Sequence, residues 1–275
     1  SNMLIATGWS PLAPISRCKT MNHPSSKTVL AFMAHPDDAE ILCAGTLARL
    51  HEEHGWNVAI ATATAGDAGS ATLRPDEISR IRYEEARRSV SLLDGQYYCV
   101  GCSDLYICYD RPTLQKFVEI IRRVRPDLVI THSPEDYMVD HEMTSLLARA
   151  ASFLFAAPNA SRLPLPADVS VPYLYYCDPI EGVDPLGNPV LPTTYVDVSA
   201  QLEMKTRMLA CHASQREWLL KHHGVDEYID SMRRHMSHRG KQVGVAAAEA
   251  FVQHRGHAYP QDDLLARLFP LSKMV

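Results

Sequence analysis

Short apolar runs alternate with helix-spaced segments from residue 28 to residue 155, and this alternation leaves the chain few architectures. The runs at 28–34, 57–64, 97–100 and 127–131 read as strands. Between and after them lie 38–54, 75–93, 110–125 and 142–155, whose apolar residues recur at helical intervals. Ile78, Ile81, Ala86, Val90 and Leu93 mark one such face. Strands separated by helices pair in parallel through right-handed crossovers. The expected fold is therefore α/β, a Rossmann-like three-layer arrangement with a mostly parallel sheet. After residue 155 the texture changes. Residues 158–192 are rich in Pro and Gly, strands are expected at 173–177 and 195–198, and helices at 201–222 and 245–252. This C-terminal part should complete the sheet and cover the mouth of a site. Residues 1–27 lack periodicity and read as an N-terminal arm, with Ser1-Asn2 ahead of Met3 as an expression scar. Residues 28–275 read as a single domain.

The first strand runs into Ala34-His35-Pro36-Asp37-Asp38-Ala39-Glu40. An imidazole and two carboxylates thus stand where a strand hands over to a helix, the edge at which open α/β sheets bind ligands. His35 and Asp38 are close enough in a tight turn to hold one metal ion. Imidazole plus carboxylate suits zinc, and the ion needs at least one more protein ligand. Asp37 points elsewhere, and a carboxylate beside a metal's water is placed to take that water's proton. A helix cap would account for one Asp, not for the whole cluster. Glu40 reads as structural. A second cluster, Asp136 to His141, follows the strand at 127–131. His141, in the loop before a helix, completes a His-Asp-His set with an open position for water. Asp140 beside it orients a ligand from outside the set, contacts substrate, or caps the helix. The glycine-rich loop at 65–70 either approaches a substrate closely or is a simple turn.

Ala-His-Pro-Asp-Asp-x-Glu behind a first strand, with Asp140-His141 behind a later one, resembles the zinc-dependent N-deacetylases of the PIG-L/LmbE-like family. That family includes GlcNAc-phosphatidylinositol de-N-acetylases and the deacetylases of mycothiol and bacillithiol biosynthesis. The resemblance covers most of residues 28–150. It implies His35, Asp38 and His141 as ligands of one Zn2+ (iron being an alternative in the cell), Asp37 as general base, and an N-acetylated sugar-like substrate. Arg82-Tyr83-Glu84-Glu85-Ala86 is similar to a family segment whose Arg helps bind substrate; otherwise Arg82 belongs to a solvated face. Many members carry His-Pro-Asp-His where this chain has Met138-Val139-Asp140-His141. Met138 can neither stabilise an oxyanion nor carry a proton. His212, in a stretch similar to the family's His-x-Ser/Thr-Gln, is the candidate replacement as a catalytic group.

Composition narrows the rest. A length of 275 residues suits one large α/β domain. The net charge of -5 gives no reason to expect a nucleic-acid partner. Seven cysteines without a Cys-x-x-Cys pair suit a reducing compartment. No run reaches the roughly 18 apolar residues of a membrane span, and residues 4–15 lack a signal peptide's basic start. A cytoplasmic enzyme is expected, with a homo-oligomer left open. No Gly-x-Gly-x-x-Gly follows the first strand, so a dinucleotide is not supported. His222-His223, His235, His238, His254 and His257 match no zinc spacing, and 232–241 reads as a solvated basic loop. The function expected is removal of an N-acetyl group from an amino-sugar-like molecule. The alternatives are another metal hydrolase, acting on a phosphoester or an amide conjugate, and a sugar- or nucleotide-binding module without catalysis.

Overall fold

In a computed structural model, which describes residues 26–165, 170–216 and 227–271, β1 (Thr28–Met33) lies inside a seven-stranded sheet. All of its residues are buried, as an unbroken apolar run requires, because a strand covered on both faces has no polar side to show. Its side chains alternate between two cores. Val29, Ala31 and Met33 pack with α2 (Ala44–His54), α6 (Leu202–Ala210) and α7 (Glu227–Gln242). Leu30 and Phe32 pack with α4 (Arg111–Val124) and α5 (Val139–Leu154). That period of two makes the molecule three layers.

β2 (Asn57–Thr64) and β4 (Leu128–Thr131) flank β1 in parallel, and β3 (Gln96–Cys102) and β5 (Tyr173–Cys177) extend the sheet in the same sense. The order is β3-β2-β1-β4-β5-β7-β6. Only β7 (Ala248–Gln253) runs the other way, between β5 and β6 (Thr194–Asp197). The α/β, mostly parallel expectation holds. No helix among the described residues is long and apolar enough to cross a membrane.

Several local expectations need correction. The helix expected at 38–54 breaks at Cys43 (φ −145°) into α1 (Asp38–Leu42) and α2. The carboxylate of Glu249, on β7, accepts from the amides of Gly45 (2.9 Å) and Thr46 (2.7 Å) and from Lys205 Nζ (2.5 Å). It thereby caps a fresh helix start with negative charge. The segment at 245–252, alanine-rich and expected helical, supplies β7, because pairing on both sides overrides local propensity. The basic segment at 232–241 belongs to α7, whose Met232 and Met236 enter the core. And α5 starts at Val139, so His141 lies in its first turn rather than in a preceding loop. Of the helix expected at 201–222, α6 covers only Leu202–Ala210; the helix ends at Cys211 and His212 before a further helical turn at 213–216. The far end of that expected helix, with His222-His223, and residues 1–25 of the arm lie outside the described residues.

Candidate metal centre and active site

The carboxyl ends of β1 and β4 deliver the acidic and imidazole groups to one place. His35 and Asp38 leave β1 directly, and Asp38 opens α1. His141 rises from the first turn of α5. One ligand atom from each of His35, Asp38 and His141 lies within 4.8 Å of the others, and all three side chains are buried.

What surrounds these groups fixes which atoms face inward. His35 Nε2 is 3.0 Å from Asp140 Oδ2, which also accepts from the amide of Leu105 at 2.7 Å. His141 Nδ1 is 2.9 Å from Asp136 Oδ1. Each imidazole has its outward nitrogen against a carboxylate, and turns its other nitrogen, Nδ1 of His35 and Nε2 of His141, towards Asp38. Asp38 Oδ2 accepts from the amide of His35 at 2.7 Å. Its Oδ1, 3.6 Å from His141 Nε2, remains open. Two neutral imidazoles and a carboxylate, each held from behind, fit a divalent ion with an open coordination position. A second trio, His132, Asp136 and His141, also converges. There Asp136 Oδ1 is engaged by His141 Nδ1, and Nε2 of His132 lies 2.9 Å from the amide of Ala34 and 3.1 Å from Asp38 Oδ2. His132 instead stacks on His141 (centroids 3.9 Å, 9°) and fixes its plane.

The electrostatics agree. Burial acts to lower the His35 pKa, but Asp140 and Asp38 outweigh it and push it up to about 10. His141 is raised against burial by Asp38 and Asp136. Asp38 is buried yet held well below its usual range by His141 and His132. This is a pocket built for positive charge, where an ion and protons compete. Because both histidine pKa values are raised, protons win as pH falls. Metal content after dialysis at stepwise lower pH is expected to drop along with bound-proton uptake; metal retention independent of pH would contradict this ligand set.

Asp37 sits beside the trio on strained backbone, φ 106° and ψ −25°. Its Oδ2 accepts from Tyr228 Oη at 2.6 Å and lies 3.5 Å from Arg82 Nη2. Arg82, itself buried, also donates to the carbonyl of Pro36 at 2.7 Å. Burial raises the Asp37 pKa, opposed by the Arg82 charge. The glycine loop after β2 makes room for that guanidinium: a Cβ on Gly66 (φ 77°) or Gly69 would run into Arg82. The loop's close approach is thus to an arginine of the site.

The other expected groups divide. Met138 lines the cavity, at the position where many family members have His. Asp140, expected to contact substrate, turns instead to His35 and Leu105 and is not among the residues that line the cavity. His212 is fully buried behind the site, Nε2 3.0 Å from Glu40 Oε1, and is not on the cavity wall. Glu40 also accepts from Ser89 Oγ at 2.5 Å, which suits its structural reading. His254 packs against Tyr176 and Tyr259, away from the site. Sequence reasoning missed His132, Asp136 and Tyr228. A histidine directly behind β4 was a usable signal. Tyr228 gave none, since it reaches Asp37 across 191 residues.

These groups floor a cavity of roughly 770 Å³, rimmed by Leu105 and Tyr137 and walled by Ile180, Glu181 and α7. Three non-glycine residues with positive φ line it, Asp37, Leu105 (66°) and Glu181 (68°). Such strain gathers where surrounding structure over-determines a functional surface.

At its ligand-binding edge the parallel sheet carries a buried His-Asp-His trio that could hold a metal ion, with the Asp37 carboxylate beside it. Residues 30–152 match the family model described as PIG-L: GlcNAc-PI de-N-acetylase. A 4-oxalmesaconate hydratase of Pseudomonas putida is 28% identical over 205 residues, covering 72% of this chain and 77% of that protein. A diacetylchitobiose deacetylase of Thermococcus kodakarensis is 27% identical over 202 residues, covering 69% and 70%. The N,N'-diacetylchitobiose deacetylase structure from Pyrococcus horikoshii superposes with a TM-score of 0.71 at 24% identity, covering 86% of this chain and 87% of that one, and so shares the fold.

Proposed function

We propose that the protein is a zinc-dependent N-deacetylase of a small, amino-sugar-like amide. The observation that carries this reading is the inward-facing Nδ1 of His35, Nε2 of His141 and Oδ1 of Asp38, with Asp37 left free beside them. When bound there, zinc supplies Lewis acidity at the acyl oxygen and acidity to water. Asp37 takes the proton from the attacking water. Tyr228 Oη and Arg82 fix the orientation of that carboxylate. Burial favours the protonated form that results, so the same group is placed to return the proton to the leaving nitrogen. This offsets the loss of a histidine at Met138. His212, through Glu40, adds positive charge behind Asp37 and acts as a positioning residue. Unpaired thiols among the described residues suit a cytoplasmic setting.

The test is metal analysis of the purified protein together with acetate release from N-acetylglucosamine and N,N'-diacetylchitobiose, set against release of phosphate from aryl phosphates. Acetate release that follows zinc content supports the reading; a zinc-loaded protein that releases none overturns it. A second reading is water addition to an unsaturated polycarboxylic acid, in line with the hydratase relative. Met138 favours it, because such a reaction has no leaving amine to protonate.

Tyr228→Phe separates Tyr228 from mere packing. Removing the O–H donor takes away a stabiliser of the Asp37 anion, so its pKa rises. The acidic limb of the kcat/KM profile should move to higher pH, and kcat at neutral pH should fall by about tenfold, or 1.4 kcal/mol. An unmoved limb would assign Tyr228 a structural role only.

A further inference from the structure

We propose that the α7 wall of the cavity binds an acidic group, a carboxylate or a phosphate, on the distal part of the substrate; the proposal rests on the metal-centre reading above. Ser231, Arg234, His235 and His238 fall at i, i+3, i+4 and i+7, one face of a helix, and all of them line the cavity. Arg234 and His238 are exposed, and among the described residues Arg234 has no carboxylate partner. His235 is held from behind, Nε2 3.0 Å from Asp178 Oδ2. The Asp178 charge is in turn matched by Arg239, whose Nε and Nη2 donate to it at 2.6 and 2.8 Å. Glu181 is the opposing carboxylate on this wall. Arg234 therefore offers this wall a guanidinium without a carboxylate partner among the described residues, with the imidazoles of His235 and His238 beside it.

The charge distribution gives the cavity two unlike ends. Asp37, Asp38 and Asp104 line the floor, where a cation belongs. Arg234 and the two imidazoles stand along the helix that leaves that floor. Tyr228, in the first turn of α7, is anchored to Asp37. At a rise of ~1.5 Å per residue, Arg234 lies about 9 Å and His238 about 15 Å further along the helix axis. A ligand that places one polar group at the metal and an acidic group a sugar-ring length or more away would satisfy both ends. Arginine suits that group, since its planar fork meets carboxylate and phosphate alike.

The experiment uses the zinc-loaded full chain and acids of one length: octanoate with one carboxylate, suberate with two, and 8-phosphonooctanoate with a carboxylate and a phosphonate. Affinities are read by isothermal titration calorimetry. The second acidic group is expected to tighten binding by about tenfold over octanoate. That advantage should fall to about twofold or less in Arg234→Gln and His238→Gln, and should reverse in Arg234→Glu. Whether suberate or the phosphonate gains more tells carboxylate from phosphate. Octanoate binding as tightly as both others in the wild type, or an advantage that survives all the variants, overturns the proposal. Absence of acetate release from N-acetylglucosamine by the same zinc-loaded protein would instead overturn the deacetylase reading and leave the acid series to judge this wall.

Discussion

Replacing His35, Asp38 or His141 with Ala is expected to strip the ion from the centre while the fold persists. Each contributes one inward atom to the trio. His132 Nε2 is engaged by the amide of Ala34, and Asp136 and Asp140 each hold a histidine. Loss of an outer carboxylate such as Asp136 or Asp140 typically weakens metal binding by about 10–100-fold. Loss of a direct ligand should therefore exceed about 100-fold, with turnover falling in parallel. Competition with a chelator of known affinity gives the metal constant, and thermal unfolding confirms that the variants fold. Metal content unchanged in all three single variants would show that the centre lies elsewhere.

Asp37→Asn should have the opposite signature: metal retained, kcat lost by ~10²–10⁴-fold, the usual worth of a general base. Asn suits the test because it tolerates positive φ better than other side chains. Its amide oxygen can still accept from Tyr228, so the wall of α7 need not move. The carbonyl oxygen of an amide cannot take up the water's proton, and the acidic limb governed by Asp37 should vanish from the kcat/KM profile. Near-normal turnover in Asp37→Asn would remove it as the base.

Much of this centre was legible in the sequence because it is local. His35, Asp37 and Asp38 share one turn, and the cluster from Asp136 to His141 follows, after a short loop, a strand that its continuous apolar run reveals. The sheet was legible for the same reason over its first four strands. The rest depends on contacts between distant segments. Glu249 reaches from β7 to break the first helix at Cys43. The alanine-rich β7 is a strand only because β5 and β6 stand on either side. His212 carries a recognisable local pattern, yet its ring faces Glu40 rather than the cavity, and no spacing could have said so. Tyr228 touches Asp37 without any motif at all.

The reversed strand β7 also sets an order of events during synthesis. Strands β1 to β5, with the turn and helices that carry His35, Asp38 and His141 between them, are complete in the chain by Cys177. They can pair as soon as they leave the ribosome, since domains form as their segments emerge. β6 must wait, because its only neighbour in the sheet is β7, some fifty residues later. Until then the β5 edge is open to wrong pairing. The nascent protein is thus able to bring His35, Asp38 and His141 together before the helix that walls the cavity has been made, and the late strand then closes the open edge.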